Sequence, residues 1–308
     1  MFDRLVTRVA GLRRRWAWFD HLVHAGGRYG RVQGDLLAAG ITYFAFLSIF
    51  PIVLLIASVI GLVIAGDALL EQQLIVGIRE AVPGSTGSWL VRQVREAISS
   101  SGFVGVIALI GFVYAGLRTM DKLRIGVRRM WTGRPVEPDF LQDNLRDLVS
   151  FAALGLAGLL SLALTGVATM ATEQLLGFLG VDQVPGYFLL ATVVGLTLAL
   201  AGDTVVFLWL LKVVPHTSVP VRSLLPGALL GAVGFEILKV LGSAYLALIS
   251  GSVTASTFGG AVGILIWINL VARWALFTTS WTATLPSVLP AIRADLPDPA
   301  AARDAGPS

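Results

Sequence analysis

An all-α fold that crosses a membrane about six times is what this sequence predicts, and three observations carry the prediction. The first is composition. Of the 308 residues, 56% are hydrophobic and 14% are charged, against roughly 45–50% and 25% in a soluble domain, so much of the apolar surface needs lipid around it. The second is a set of six apolar runs, each near the roughly 20 residues that span about 30 Å of hydrocarbon. They cover residues 42–65, 102–117, 148–170, 187–211, 223–249 and 258–281. The third is where the basic residues fall between those runs.

Seven Lys/Arg precede the first run, seven lie between the second and third, and none follow the third or the fifth. With Lys212, Arg222, Arg293 and Arg303, 18 fall on one side, against Arg79, Arg92 and Arg95 on the other. Basic loops stay in the cytoplasm, so both termini are predicted there, in a multi-pass protein of a bacterial inner membrane. The net charge of +4 reflects this asymmetry and does not signal nucleic acid. The absence of cysteine excludes disulfides and thiolate metal sites and leaves the redox compartment open.

Residues 1–34 read as a cytoplasmic amphipathic segment. Leu5, Val9, Leu12, Trp16, Phe19 and Val23 recur at steps of three and four, with Arg4, Arg8, Arg13, Arg14 and Arg15 on the remaining arc, a pattern suited to lying on anionic headgroups. His21 and His24 belong to the same segment and read as interfacial. Seven arginines ahead of the first run argue against a cleavable signal, so the chain is expected to be retained whole. The six-span domain covers residues 35–285. Within it, residues 67–100 read as a small helical external cap broken at Pro83 and Gly84, and residues 118–147 as a basic cytoplasmic loop. The second run is short, but helical spacing continues through Met120, Leu123, Val127 and Met130, with Arg124, Arg128 and Arg129 placed to contact anionic lipid. Residues 286–308, rich in Pro, Ala and Asp, read as a disordered cytoplasmic tail. There is no internal repeat.

The candidate functional residues are those that hydrocarbon penalises: Asp203 in the fourth run, Glu236 and Lys239 in the fifth, and Arg273 in the sixth. At roughly 2.5–3.5 kcal/mol per charge near a helix centre, four unpaired charges would cost on the order of 10 kcal/mol. Glu236 and Lys239, three apart, can meet on one helix, and Arg273 is expected to complete a network with Asp203. Asn269 lies one turn before Arg273. The cluster reads either as an ion-pair staple or as a polar cavity for a headgroup or a proton. Gly227 with Gly231, and Gly259 with Gly263, form small-xxx-small pairs that allow close helix approach. Pro51 is expected to kink the first span, whereas Pro226 falls in a first helical turn.

Catalysis finds little support. The three histidines are scattered, and there is neither a phosphate-binding G-x-x-x-x-G-K-[ST] nor an H-E-x-x-H. No catalytic residue, metal ligand or cofactor is assigned, and the protein is expected not to be an enzyme.

The run LLAAGITYFAFLSIFP, residues 36–51, resembles the opening signature of the YihY/virulence factor BrkB family. The stretch KVVPHTSVPVRSLLPGALLGAVGFEILKVLGSAYL, residues 212–246, is similar to that family's proline-containing turn and fifth span, including the Glu-x-x-Lys, and the basic stretch ending at Met130 and Trp131 also fits. The resemblance covers residues 30–285 and is nearest to the family's actinobacterial, YhjD-like branch. It implies a six-span inner-membrane protein linked to envelope integrity and serum resistance, with a suspected role in moving lipids or envelope precursors. A ribonuclease label carried by some members is not supported, because no H-x-H-x-D-H ligand cluster is present. TTSWTATLPS, residues 278–287, replaces the family's Gly-Ala-Glu ending. The expected function is a transporter or flippase-like carrier of a lipid or amphipathic envelope component. The alternative is a membrane scaffold or regulator whose intramembrane charges are structural. Membrane lipids with anionic headgroups are the expected partners, a homo-oligomer is an open alternative, and nucleic acid is not expected.

Overall fold

The computed structural model describes residues 17–64, 101–134, 187–249 and 253–295, with isolated helical positions between 69 and 92 and at 156. Among the described residues there is helix and no strand: α1 Ala17–Arg31, α2 Gly34–Ile64, α3 Ser101–Thr132, α4 Tyr187–Lys212, α5 Val221–Ile249, α6 Val253–Ala283 and α7 Leu289–Asp295. Helices α2 to α6 are each long and apolar enough to cross a membrane. The predicted run at 148–170 lies outside the described residues except for Leu156, as do most of the cap at 67–100, the loop beyond Arg134, and residues 1–16 with Arg4, Arg8, Arg13, Arg14 and Arg15. Large apolar side chains face outward, Ile237, Val240, Leu241 and Leu248 on α5 and Val205 on α4 among them. Such surfaces belong against lipid tails.

The chain divides into two compact units, residues 43–119 and residues 1–42 with 120–308. In the first, the later part of α2 and the early part of α3 run antiparallel. A Cβ added at Gly111 would meet the Pro51 ring at 3.2 Å, and one at Gly105 would meet Ser58 at 3.3 Å. Helix α2 is assigned helical through Pro51, whose missing N–H removes one rung from the ladder. Arg118 lies over the Tyr114 ring at 5.5 Å.

The second unit is built around α5. Helix α4 ends at Lys212, whose ammonium donates to the Val219 carbonyl at 2.7 Å and closes the turn into α5. Helix α6 returns antiparallel to α5 in a fixed register. The Trp267 indole N–H donates to the Leu238 carbonyl at 3.1 Å, and seven residues on Trp274 donates to Gly231, seven residues back, at 2.9 Å. These indoles sit over glycines: a Cβ at Gly234 would overlap Trp274, and one at Gly242 would come within 2.9 Å of Trp267. Gly227 seats Thr282, Gly231 seats the Phe207 ring of α4, and Gly263 seats Tyr245. Gly227, Gly231 and Gly263 are therefore sockets for side chains. Gly259 lies in α6 beyond the residues whose surroundings are described.

At one end of this unit, α1 packs on the last turns of α6. His21 Nε2 lies 3.0 Å from the Trp281 carbonyl, and Ser280 donates to the Ala25 carbonyl at 2.8 Å. This face of α1 is held by protein, where the sequence reading had it on headgroups. His24 is exposed, 3.3 Å from Asp20. Arg28 donates to the Met130 carbonyl at 2.6 Å and also to that of Trp131, covering the end of α3, where a cation suits the helix dipole. Burial, then neighbouring Arg31, pushes the Arg28 guanidinium below its ordinary range. Gly133 ends α3 at φ 72°, its N–H bonded to the Arg129 carbonyl.

Two sequence expectations are corrected here. The tail does not become irregular at residue 286: α7 follows, and Val288 and Ile292 are buried in the core with Leu276 and Met130. Two apolar residues four apart are enough to dock one short turn of helix. Pro226 is the sixth residue of α5 and lies beyond its first turn.

Replacing Gly234 by alanine forces a methyl into the Trp274 indole and is expected to lower the thermal unfolding midpoint in detergent, at the about 1–3 kcal/mol typical of overpacking. Gly40→Ala meets nothing within 4 Å and is expected to hold or raise the midpoint, by up to about 1 kcal/mol. Equal midpoints for the two variants would contradict the register.

Candidate functional site

Helices α4 and α5 bring three ionisable side chains together. Lys239 Nζ donates to Asp203 Oδ2 at 2.9 Å and to Glu236 Oε1 at 2.8 Å. The second bond is local, a neighbour three residues back on one helix face. The first crosses helices. The side chains of Asp203, Lys239 and Glu236 are 1%, 6% and 12% exposed, which makes Glu236 the most accessible of the three. Lys239 also lies 5.2 Å from the Phe235 ring centre, so an aromatic face borders the ammonium. Counting back at 1.5 Å per residue, Asp203 is about 14 Å from the end of α4 and Lys239 about 15 Å from the end of α5. The triad is therefore well inside both helices.

Beside it, α5 and α6 bound a groove of about 410 Å³, within the roughly 300–1,000 Å³ of small-molecule sites. Leu238, Lys239 and Leu241 line it from α5, and Ile266, Trp267 and Leu270 from α6. Leu241 and Ile266 are exposed at its lip. The groove thus joins an apolar wall to the stem of the lysine that holds the two carboxylates.

Arg273 does not join this cluster. Its Nη1 lies 3.1 Å from Asp35 Oδ1, and its Nε donates to Asn269 Oδ1 at 2.8 Å. Asn269 donates to Thr42 at 3.0 Å, Thr42 to the Ala38 carbonyl at 2.7 Å, and Tyr29 to Asp35 at 2.9 Å. This second network ties α1, the first turns of α2 and α6. Burial, followed by the bond to Asp35, pushes the Tyr29 phenol above its ordinary range, so it stays protonated and donates. The expected link from Arg273 to Asp203 fails because α6, with 31 residues, is about 46 Å long, some 15 Å more than the hydrocarbon needs. Arg273 sits ten residues before its end, level with the start of α2. Arg273 and Asp35 are 47% and 64% exposed, as befits a membrane face.

Of the basic residues assigned to lipid on α3, Arg124 is buried, with Nη2 3.6 Å from Asp121, and so is held by protein rather than free to lie on headgroups. Arg128 reaches His216 Nδ1 at 3.3 Å, and Arg129 is half-buried. Sequence reading missed Asp35, Tyr29 and the tryptophans. The indoles carried a signal, since Trp267, Trp274 and Trp281 recur every seven residues.

The family model described as Virulence factor BrkB matches residues 25–303. The chain is 27% identical to the inner membrane protein YhjD of Escherichia coli, over 91% of this chain and 85% of that one. It is 30% identical to a Dickeya dadantii protein described as uncharacterized, over 86% and 82%, and 28% identical to a UPF0761 membrane protein of Pseudomonas paraeruginosa, over 85% and 62%. No solved structure matches. With that match running nearly end to end over a chain of membrane-length helices, the protein is a polytopic membrane protein that belongs to the YihY/BrkB family.

Proposed function

We propose that this protein is a non-enzymatic carrier, a transporter or flippase-like protein that moves a lipid or other amphipathic envelope component in the bacterial inner membrane. One observation carries the reading: an apolar groove of about 410 Å³ runs up to a buried ionic triad inside the membrane-spanning helices. An amphiphile has the matching parts, a hydrocarbon portion for the groove and a polar portion for the charges. A plain anchor needs neither, and polar groups in hydrocarbon are costly enough to need a reason. The inner-membrane name of the Escherichia coli relative supports the location.

The arrangement of ends supports six spans and cytoplasmic termini. Helices α3 and α4 both finish at the end where Arg128 meets His216. In this reading the apolar run at 148–170, which lies outside the described residues, is the sixth span. Arg28 covers the end of α3, Arg128 reaches His216 there, and Lys212 closes the turn after α4, the pattern of a cytoplasmic face.

The test is lipid movement in liposomes containing the purified protein, with fluorescent short-chain phospholipids followed by a membrane-impermeant quencher. The wild-type protein is expected to accelerate exchange between leaflets. Leu241→Trp and Ile266→Trp, which fill the groove without touching the triad, are expected to slow it at least about tenfold, or about 1.4 kcal/mol, with unchanged unfolding midpoints. Exchange no faster than in protein-free liposomes, for zwitterionic and anionic lipids alike, would remove the reading.

A second reading, a scaffold in which the triad is only a staple, has the mutual satisfaction of the buried charges in its favour. Lys239→Asp alone is expected to destabilise by about 3–5 kcal/mol. Combining it with Asp203→Lys restores an ion pair and should recover the unfolding midpoint. Under the carrier reading, lipid movement stays lost in that double variant, whereas a staple recovers stability and cellular function together.

A further inference from the structure

Helices α4 and α5 are both of membrane-spanning length, the first ending at Lys212 and the second beginning at Val221, so the turn of residues 213–220 between them lies at a membrane face. The turn is tightly built. Lys212 donates to the Val219 carbonyl at 2.7 Å, the Val219 N–H donates to Thr217 Oγ1 at 3.3 Å, and Val219 is fully buried. His216 stands out from it. Its φ of 55° lies in the left-handed region that few residues other than glycine adopt, and its ring meets the last turns of α3, where Arg128 Nη2 is 3.3 Å from His216 Nδ1. Arginine has no acceptor, so Nδ1 accepts and the ring's N–H is at Nε2.

The pair is a set of donors without an acid. Asp121, the carboxylate that precedes Arg128 on α3, is seven residues back, about 10 Å along the helix, and is engaged with Lys122 and Arg124. No Asp or Glu occurs from residue 122 to 136 or from 204 to 235, whereas seven Lys and Arg do. Arg128 gives one N–H to His216 and keeps the rest of its fork. His216 is exposed and Arg128 half-buried.

We propose that Arg128 and His216 form a binding site for the phosphate of an anionic phospholipid in the leaflet that borders this turn. Phosphate oxygens suit the planar fork of arginine, and the neighbouring Nε2–H adds a donor that fixes the phosphate to one place along the face. Headgroup selection follows from the missing acid. The ammonium of a zwitterionic lipid would sit among cations with no carboxylate to accept it, whereas the glycerol of phosphatidylglycerol adds no charge. Arg124, buried beside Asp121, takes no part. The site is separate from the groove and independent of whether the protein moves lipid.

Native mass spectrometry of the full chain in detergent tests this, with short-chain phosphatidylglycerol, short-chain phosphatidylcholine and inorganic phosphate as probes. The wild type is expected to hold one phosphatidylglycerol at least about tenfold more tightly than phosphatidylcholine, and excess inorganic phosphate should leave that complex intact. Arg128→Gln and His216→Gly each remove a donor and should lower phosphatidylglycerol affinity at least about fivefold. Glycine keeps the left-handed backbone, so the second variant reports on the ring alone and carries the comparison if Arg128→Gln fails to fold. Arg222→Gln removes an exposed charge from the first turn of α5 and should change affinity less than about twofold. Equal affinity for the two lipids overturns the proposal, as does displacement by inorganic phosphate, which would make the ligand a soluble anion. A loss in Arg222→Gln as large as that in His216→Gly also overturns it, by reducing the site to general attraction.

Discussion

The ammonium of Lys239 lies between two carboxyl groups, one on α4 and one on α5, and the pairing of those two helices follows from satisfying it. A single charge in hydrocarbon costs several kcal/mol, and removing one partner of a buried pair costs about as much again. Helix α5 supplies both Lys239 and Glu236, so it can shield the charge only in part by itself. The remaining contact has to come from Asp203, which fixes the rotation of α4 about its axis and its slide along α5. Phe207, one turn after Asp203, then falls onto Gly231. Polar pairing sets the register, and packing fills it in.

On the neighbouring face of α5 the same economy holds with different chemistry. Helices in lipid gain no hydrophobic free energy by associating, so their packing depends on shape and on hydrogen bonds. The indoles of Trp267 and Trp274 meet both needs: each ring fills the space above a glycine, and each N–H finds a carbonyl on α5. The groove opens beside these contacts, with Gly242 and Gly263 in its lining. Lys239 is on its wall because it stands at the boundary between the face of α5 that meets α4 and the face that meets α6.

Most of the fold could be read from the sequence because its signals are local. Runs of apolar residues and the break at residues 213–220 between α4 and α5 need no partner to be recognised. The Glu236–Lys239 contact was legible for the same reason, being three residues apart on one helix. Asp203 could be flagged as costly, but its partner depends on helix rotation, which periodicity does not fix when a span is apolar on all sides. Arg273 was misplaced because a hydropathy window finds a span without saying how far its helix runs on past the membrane. Glycines 234 and 242 were passed over since their meaning lies on α6. The docking of α7 was hidden in a stretch whose proline and alanine content reads as irregular.

The two polar networks divide the work by depth. The triad is buried between α4 and α5, where Lys239 bonds both carboxyls. The chain from Tyr29 through Asp35 and Arg273 to Asn269 and Thr42 is open to water at one end, where ion pairs contribute little to stability. Its geometry, not its strength, is what counts: it links α1, the start of α2 and α6. An exposed pair of this kind exchanges partners at small free-energy cost, whereas the triad does not. The strong pairing therefore lies inside and the weak pairing at the face.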